Sequence, residues 1–508
     1  MPFFDFHLHP SLKPQMSQPP GFPSPWENIH LSFAHPDAIT LLLKCSGINE
    51  VVDSQACLSQ LIQGKMSLVA IALHPPESNM MADPLIKKIA AEEQTRYINI
   101  TRVDDIATGN IYFQMLQQEL NNLQTHLLQN GKKLKLLSNI AEYNAADDDT
   151  VHAILNVEGP HAFYGDRQGK QLPDILADFW NNFEQFTSTH RIFAMNIAHL
   201  QDNDFCNHAY GIQIFNPKPF FPLRYGLTQE GIDLLMKMQD KKILADIKHT
   251  SLFARQQIYG LHFHGPNWPL VCTHAGLTGI PYTERGRYFI SVRKIAEGFL
   301  RVKHYKPNGY LAGTSFNASS INLYDDDVKE IINSGGMIGL SLDQRILGTP
   351  DDTMMSIDFP DELHEEEIIS PDEKDFFRGV PRPDVEDEAV LKIEDIRLGD
   401  RQDNPLFHAR HFMNQLLHLF NIAPGLGIDK TVLATHICIG SDFDGMINPV
   451  DCCRNVTELQ GFKDLLLENF EDWEAEAGIK ISSVITPQKL MDNIFYQNGF
   501  DFLKKWYI

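Results

Sequence analysis

Residues 3–9 read FFDFHLH, and seven further short apolar runs along the chain also end in a His, Glu or Asp. Such runs are typical of buried strands. Segments with helical spacing of apolar residues separate them, for instance Ile175, Leu176 and Phe179 before the fourth run. Strands that alternate with helices predict a parallel sheet covered on both faces. The eight runs are residues 3–9, 67–74, 153–158, 192–199, 243–249, 269–274, 336–343 and 436–442.

Eight strand–helix units predict an α/β fold that closes into a (β/α)8 TIM barrel, in which the C-terminal strand ends form the active-site face. The length of 508 residues allows a single barrel domain over residues 1–508, with long loop insertions near 10–66, 282–325 and 344–403. Six prolines within residues 10–26 exclude a helix there and leave a loop, a lid or a pocket wall.

Composition limits the possible partners. The formal charge of −23 disfavours binding to nucleic acid and to anionic membranes. Residues 351–400 carry 18 acidic against 5 basic side chains, which favours a solvated surface excursion over a partner-binding segment. The N-terminus lacks the pattern of a signal peptide, and no apolar run reaches the roughly 18 residues of a membrane span. We therefore expect a cytoplasmic protein.

The seven cysteines form an odd set without a C-x-x-C pair. This pattern predicts neither a disulfide framework nor a cysteine zinc site. Cys272 and Cys438 lie in apolar runs, where we expect small buried side chains.

Histidines and carboxylates at the strand ends predict a metal site. Strand alternation places Asp5, His7 and His9 on one face of the first run, so that two imidazoles can converge on one cation. The His-x-His spacing is a weak signal by itself. Other predicted strands, however, also end in residues that can bind metal, at the same face of the barrel: Glu158, His249, His274 and Asp442. A carboxylate between two imidazole pairs can bridge two divalent ions, and Glu158 is the candidate for that position.

The motifs VEG, DIKHTS, THAG, SGGMIGLSLD and GSDFDG follow the N-terminal Asp-x-His pattern in an order that resembles the membrane (renal) dipeptidase family. This family belongs to the metal-dependent amidohydrolase superfamily, and the resemblance covers nearly the whole chain. It implies two divalent ions per chain, with zinc as the leading expectation, and a homodimer. It also implies the ligands: His7 and His9 for one ion, His249 and His274 for the other, and Glu158 as the bridge.

The resemblance further implies a dipeptidase-like hydrolase that cleaves a small amide or peptide bond. In that mechanism a water shared by the two ions attacks a carbonyl polarised by one of them. Asp442 would carry the proton to the leaving amine, and His199 would contact the scissile carbonyl and stabilise the oxyanion. Arg285 or Arg287 would bind the carboxylate of a dipeptide or a related amide.

One departure from the family opens alternatives. The first strand of the family carries His-x-Asp, whereas this chain has His9 at the second position. The substrate can therefore be a non-peptide amide, a lactam or an ester. A phosphodiesterase or nuclease of the same barrel superfamily also begins with His-x-His, but the charge disfavours it. A catalytically inactive metal-binding barrel is the remaining alternative.

Several polar residues are open to two interpretations. Asp5 can orient an imidazole or be a satisfied buried carboxylate. His74 can line the pocket or pack, and Asp444 is interpreted as a turn residue beside Gly445. Three histidines on a predicted helix are expected at the surface or at the edge of the core: His408, His411 and His418.

Overall fold

The computed structural model describes residues 2–18, 21–30, 51–92, 96–201, 203–211, 221–222, 225–261, 268–349, 364–371, 373, 384–385 and 405–508. The strands in chain order are β1 (Phe3–Leu8), β2 (Met66–Leu73), β3 (Leu128–Gln129), β4 (Lys132–Leu136), β5 (Thr150–Val157), β6 (Ile192–Asn196), β7 (Leu244–Asp246), β8 (Val271–Ala275), β9 (Phe289–Lys294), β10 (Leu300–Tyr305), β11 (Met337–Leu340), β12 (His364–Ile369), β13 (Asp384–Val385) and β14 (Ile437–Ile439).

The α-helices in chain order are α1 (Leu58–Gln63), α2 (Ser78–Met81), α3 (Pro84–Glu92), α4 (Ile100–Ala107), α5 (Tyr112–Thr125), α6 (Leu172–Thr189), α7 (Gln229–Asp240), α8 (Leu252–Gly260), α9 (Asp325–Asn333), α10 (Gln344–Leu347), α11 (Pro405–Ile422), α12 (Lys430–Leu433), α13 (Leu459–Ala477), α14 (Pro487–Asp492) and α15 (Asn498–Trp506). Short 3-10 turns lie between several of them.

Eight parallel strands form the barrel in the order β1-β2-β5-β6-β7-β8-β11-β14. Beyond the last strand, the backbone N–H of Asp442 donates to the carbonyl of His7 at 2.9 Å, and that of His9 donates to Phe443 at 2.8 Å. These two bonds join the end of the eighth strand to the first. Each predicted run contains one barrel strand, so the prediction of a (β/α)8 barrel is confirmed.

The first strand shows why the barrel faces are chemically different. Phe4 and Phe6 alternate with Asp5 and His7, and all four side chains are buried. The ring of Phe4 lies so close to Gly499 of α15 that a Cβ there would be 2.0 Å from it. Phe6 packs edge-on against Phe502 of the same helix. The apolar face of β1 thus packs against the closing helix, while Asp5 and His7 point into the barrel.

The two long insertions after β8 and β11 meet in a second sheet with the strand order β12-β10-β9-β13. Within it, Val302, Ile368 and Ile369 are buried. The expectation that residues 351–400 form a solvated excursion is wrong for this part, because β12 pairs with β10 along its whole length. Most of the acidic stretch lies outside the described residues.

The expectation of surface or core-edge histidines on α11 is also wrong. His408, His411 and His418 are all buried, because α11 packs against α13 and against the loops beside the barrel. Each ring has a partner: His408 accepts from the N–H of Asp451, His411 bonds the carbonyl of Phe407, and His418 bonds Asp325.

Cys272 and Cys438 are buried, as expected, and no disulfide joins the cysteines of the described segments. Within those segments, no helix has the length and hydrophobicity needed to cross a membrane.

Candidate metal centre and active site

The five predicted ligands lie together at the C-terminal end of the barrel. His7 and His9 come from β1 and the residue that follows Leu8, Glu158 follows β5, His249 follows β7, and His274 is in β8. All five side chains are buried. Their convergence results from the parallel sheet, since the carboxyl ends of all eight strands open on one face.

The carboxylate of Glu158 lies at the centre of this group. Its Oε1 atom lies 3.4 Å from Nε2 of His7 and 3.4 Å from Nε2 of His249. Its Oε2 atom lies 3.4 Å from Nε2 of His9, and Oε1 is 3.7 Å from Nε2 of His274. Each oxygen therefore faces at least one imidazole nitrogen, as a bridging carboxylate requires.

The imidazoles form two pairs with ligand-like spacing. The Nε2 atoms of His7 and His9 are 3.0 Å apart, and those of His249 and His274 are also 3.0 Å apart. Two ligands that each lie about 2.1 Å from one tetrahedral zinc ion are about 3.4 Å apart. The distances within each pair and from each pair to Glu158 are close to this value. The residues present therefore fit two divalent ions bridged by Glu158.

Thr273 connects the two imidazole pairs, which the sequence interpretation missed. Its Oγ1 atom lies 2.9 Å from Nδ1 of His7 and 3.2 Å from Nδ1 of His274, and its hydroxyl donates to Asp246. With the hydroxyl proton directed to Asp246, the oxygen can accept from both rings, which leaves their Nε2 lone pairs toward Glu158. Polar residues inside the apolar strands β7 and β8 are the sequence signal that could have indicated this.

Burial sets the protonation of the second pair. Desolvation and the neighbouring His199 hold the pKa of His249 well below its usual value. Desolvation and the neighbouring His7 do the same for the pKa of His274. Burial by itself would raise the pKa of Glu158, but the surrounding histidines, led by His199, hold it well below its usual range. An ionised carboxylate beside the neutral rings of His249 and His274 is a protonation state that can bind a divalent cation.

Asp442 lies at the open side of the cluster. Its Oδ1 atom is 3.3 Å from Nε2 of His9 and 3.9 Å from that of His7, and 16% of its side chain is exposed. The backbone φ of Asp442 is +65°, and that of His249 is +63°. Such left-handed backbone is uncommon for residues other than glycine and occurs often at functional sites. In contrast to the five predicted ligands, which are buried, Asp442 is partly exposed.

Asp444 has a different environment from Asp442. Its carboxylate accepts from the backbone N–H groups of Gln55 at 2.8 Å and Ala56 at 2.9 Å, and from Lys13 at 2.5 Å. It is buried and joins the loop after β14 to the segment before α1. The structure therefore gives Asp444 a structural role.

His199 lies beside Glu158 but belongs to a second polar group. Its Nε2 atom is 3.4 Å from Oε1 of Glu158, and its Nδ1 atom bonds the fully buried carboxylate of Glu77. Burial would lower the pKa of His199, but Glu77 and Glu158 raise it to about 10. A charged imidazole here could donate to a carbonyl oxygen. The sequence interpretation had not selected Glu77, although its position just after a strand end was the available signal.

His74 completes this second group. Its Nε2 atom lies 3.3 Å from Oε2 of Glu77, and its Nδ1 atom lies 3.3 Å from the carbonyl oxygen of Glu158. His74 is buried beside the predicted ligands, with its ring centroid 5.9 Å from that of His9.

Asp5 and Arg285 have protein partners of their own. Asp5 accepts from the backbone N–H groups of His7 and Ser441, and burial raises its pKa to about 6. The bond from Ser441 joins β1 to the segment that follows β14. Arg285 is buried and donates to Glu367 of β12 at 2.6 Å. Its predicted role with a substrate carboxylate stays a prediction.

Comparison with known proteins agrees with this architecture. No model of a known protein family matches the chain, and no curated protein sequence matches it. Among solved structures, a metallopeptidase from Rhodobacter sphaeroides, liganded with a phosphinate mimic of the dipeptide L-Ala-D-Ala, matches 100% of this chain and 99% of its own. The identity is 15% and the TM-score is 0.52. The fold is shared along the whole chain.

Two further structures are similar at lower scores. Dipeptidase AC, a metallopeptidase, covers 100% of this chain and 99% of its own at 15% identity and a TM-score of 0.49. A probable dipeptidase from Pseudomonas aeruginosa covers 89% of each chain at 12% identity and a TM-score of 0.46. At these identities the similarity is one of fold alone.

Proposed function

We propose that this protein is a metal-dependent hydrolase that cleaves the amide bond of a small substrate, in the manner of a dipeptidase. The observation that carries the proposal is the position of Glu158, whose two carboxylate oxygens face two pairs of imidazole nitrogens at 3.4–3.7 Å. The similarity of the fold to that of metallopeptidases supports it.

The residues divide into ligands and reacting groups. His7, His9, Glu158, His249 and His274 would hold two divalent ions, for which we propose zinc. When bound, such ions lower the pKa of water and polarise a carbonyl group. Asp442 would accept a proton from the attacking water and deliver it to the leaving amine, because its carboxylate borders the cluster and is accessible. His199 would donate from Nε2 to the carbonyl oxygen.

The test combines metal content with turnover. Purified full-length protein is analysed for bound metals and then assayed with a panel of dipeptides, acyl-amino acids, lactams and esters, with and without added Zn²⁺. Metal-dependent turnover of dipeptides would support the proposal. Bound metal without turnover of any panel member would support the inactive barrel, and no bound metal under conditions that exclude stripping would refute the metal centre.

A second candidate is hydrolysis of a non-peptide amide, a lactam or an ester. Two observations favour it over strict dipeptidase activity. Arg285, the candidate for binding a dipeptide carboxylate, is buried and already paired with Glu367. His9 brings a neutral ring beside Asp442, where the resembling family has a carboxylate. The same panel distinguishes the two candidates, because only a dipeptidase would prefer substrates with a free carboxylate.

A further inference from the structure

A second group of ligand-type side chains lies beside the candidate metal centre. His74 follows β2, Glu77 lies three residues further on, and His161 lies in the turn after β5. All three are buried, and one ligand atom from each lies within 4.8 Å of the other two. None of the three belongs to the five-residue ligand set or would contact the substrate in the proposed reaction.

Hydrogen bonds to the backbone fix which imidazole nitrogens carry protons. Nδ1 of His74 lies 3.3 Å from the carbonyl oxygen of Glu158, and Nε2 of His161 lies 2.8 Å from that of Pro75. A carbonyl oxygen can only accept, so each of these nitrogens donates. When both rings are neutral, Nε2 of His74 and Nδ1 of His161 carry the lone pairs. Metal-bound histidines commonly donate their second ring nitrogen to a backbone carbonyl in this way.

The carboxylate of Glu77 supplies a third acceptor. Its Oε1 atom bonds Nδ1 of His199, while its Oε2 atom is buried and faces the ring of His74. Oε2 lies 3.3 Å from Nε2 of His74. This separation is close to the roughly 3.4 Å expected for two ligands of one tetrahedral ion. A buried carboxylate oxygen that faces a nitrogen lone pair is repelled by it unless a proton or a metal cation lies between the two atoms.

The backbone leaves space for His161 in this arrangement. Gly159 has a φ of +87°, and a Cβ at this position would lie 2.4 Å from Nδ1 of His161 and 3.1 Å from Cβ of His199. Any other residue would therefore collide with the ring nitrogen that has the lone pair. In the VEG motif, Glu158 thus belongs to the candidate metal centre, and Gly159 leaves space for His161 of the second group.

We propose that His74, Glu77 and His161 form a third divalent-cation site, with zinc or a similar borderline ion as its ligand. The donor set of two imidazoles and one carboxylate suits such ions. The ion would join the segment after β2 to the turn after β5. Through the bond from Glu77 to His199, it would also fix the ring proposed to contact the substrate carbonyl.

The experiment measures metal stoichiometry and does not depend on turnover. Full-length protein is dialysed against Zn²⁺ and washed, and bound zinc is measured per chain. We expect three ions in the wild type, two in His161→Ala, and three in His408→Ala, a matched change of another buried histidine that bonds the backbone of Asp451. Two ions in the wild type would mean that a proton holds the three side chains together, and would overturn the proposal.

Three ions in both the wild type and His161→Ala would also overturn it, because the third ion would then lie elsewhere. If His161→Ala does not fold, anomalous scattering from zinc in wild-type crystals tests the same site. The proposal requires an anomalous peak within bonding distance of His74, Glu77 and His161, and the lack of such a peak would contradict it. This outcome is separate from the proposed hydrolysis. Three bound ions without turnover would support the third site and contradict the proposed hydrolysis. Two bound ions with turnover would support only the proposed hydrolysis.

Discussion

Oδ1 of Asp442 lies 3.3 Å from Nε2 of His9, which makes the last strand end of the barrel the direct neighbour of the first. In the family that the motifs resemble, a carboxylate stands where His9 stands. A second carboxylate at this distance would repel Asp442, whereas an imidazole can bond it or bind a cation. The substitution thus changes the charge next to the residue proposed to carry the proton.

Replacement of Asp442 by Asn tests the proton transfer. Asn has nearly the same shape but cannot accept a proton from water, so we expect turnover to fall by a factor of at least about 100. Asp442 is not in the proposed ligand set, so bound metal should remain as in the wild type. Loss of metal together with turnover in this variant would contradict the assignment of Asp442 as a reacting group.

Replacement of Asp444 by Asn is the matched change two residues away. Its carboxylate accepts two backbone N–H groups and pairs with Lys13, whose side chain is only 13% exposed. Loss of these bonds should lower the free energy of unfolding by about 3 kcal/mol. Turnover per folded molecule should stay within a few fold of the wild type. Urea denaturation provides the measurement, and unchanged stability would show that the loop does not depend on Asp444.

Thr273 is expected to control metal affinity without binding metal. Val at this position keeps the shape but removes the oxygen that both His7 and His274 contact. We expect metal affinity to fall by about 10- to 100-fold, the usual effect of losing a group that orients ligands. Ser retains the oxygen and serves as the control. Competition with a coloured chelator measures both, and equal affinity in the Val and Ser variants would contradict this role.

The pH dependence of stability should contain a contribution from His411. Burial lowers its pKa to about 3, against 6.5 for the free side chain. Below pH 6.5 the unfolded chain therefore takes up a proton that the folded chain does not. Stability should fall as the pH drops from about 6.5 toward 3, by up to about 1.4 kcal/mol per pH unit.

The His411→Gln variant should show a smaller loss between pH 7.5 and 5.5 than the wild type when unfolding is followed in urea. An equal slope in the wild type and in His411→Gln would mean that His411 does not contribute to the pH dependence.

The sequence predicted the barrel because the signal is local. Each apolar run contains a strand, and each ligand candidate lies at or just beyond a strand end, as for His7 in β1 and His274 in β8. The parallel arrangement then brings those ends to one face regardless of the loops between them. The sheet formed by the insertions could not be predicted in this way, because β12 pairs with β10, which is far from it in the sequence. In addition, the acidic composition around β12 predicted a segment exposed to solvent.

By itself, the sequence determined the barrel, the face on which the site lies and the residue types available there, because strand periodicity and apolar runs depend on neighbours along the chain. Only the tertiary structure decided which of these residues meet. Closure of the barrel places Asp442 beside His9, whereas Asp444 accepts a hydrogen bond from Gln55. It also places Thr273 between the rings of His7 and His274. Such contacts join segments far apart in the chain, and their geometry depends on the strand order and on the packing of the loops above the barrel.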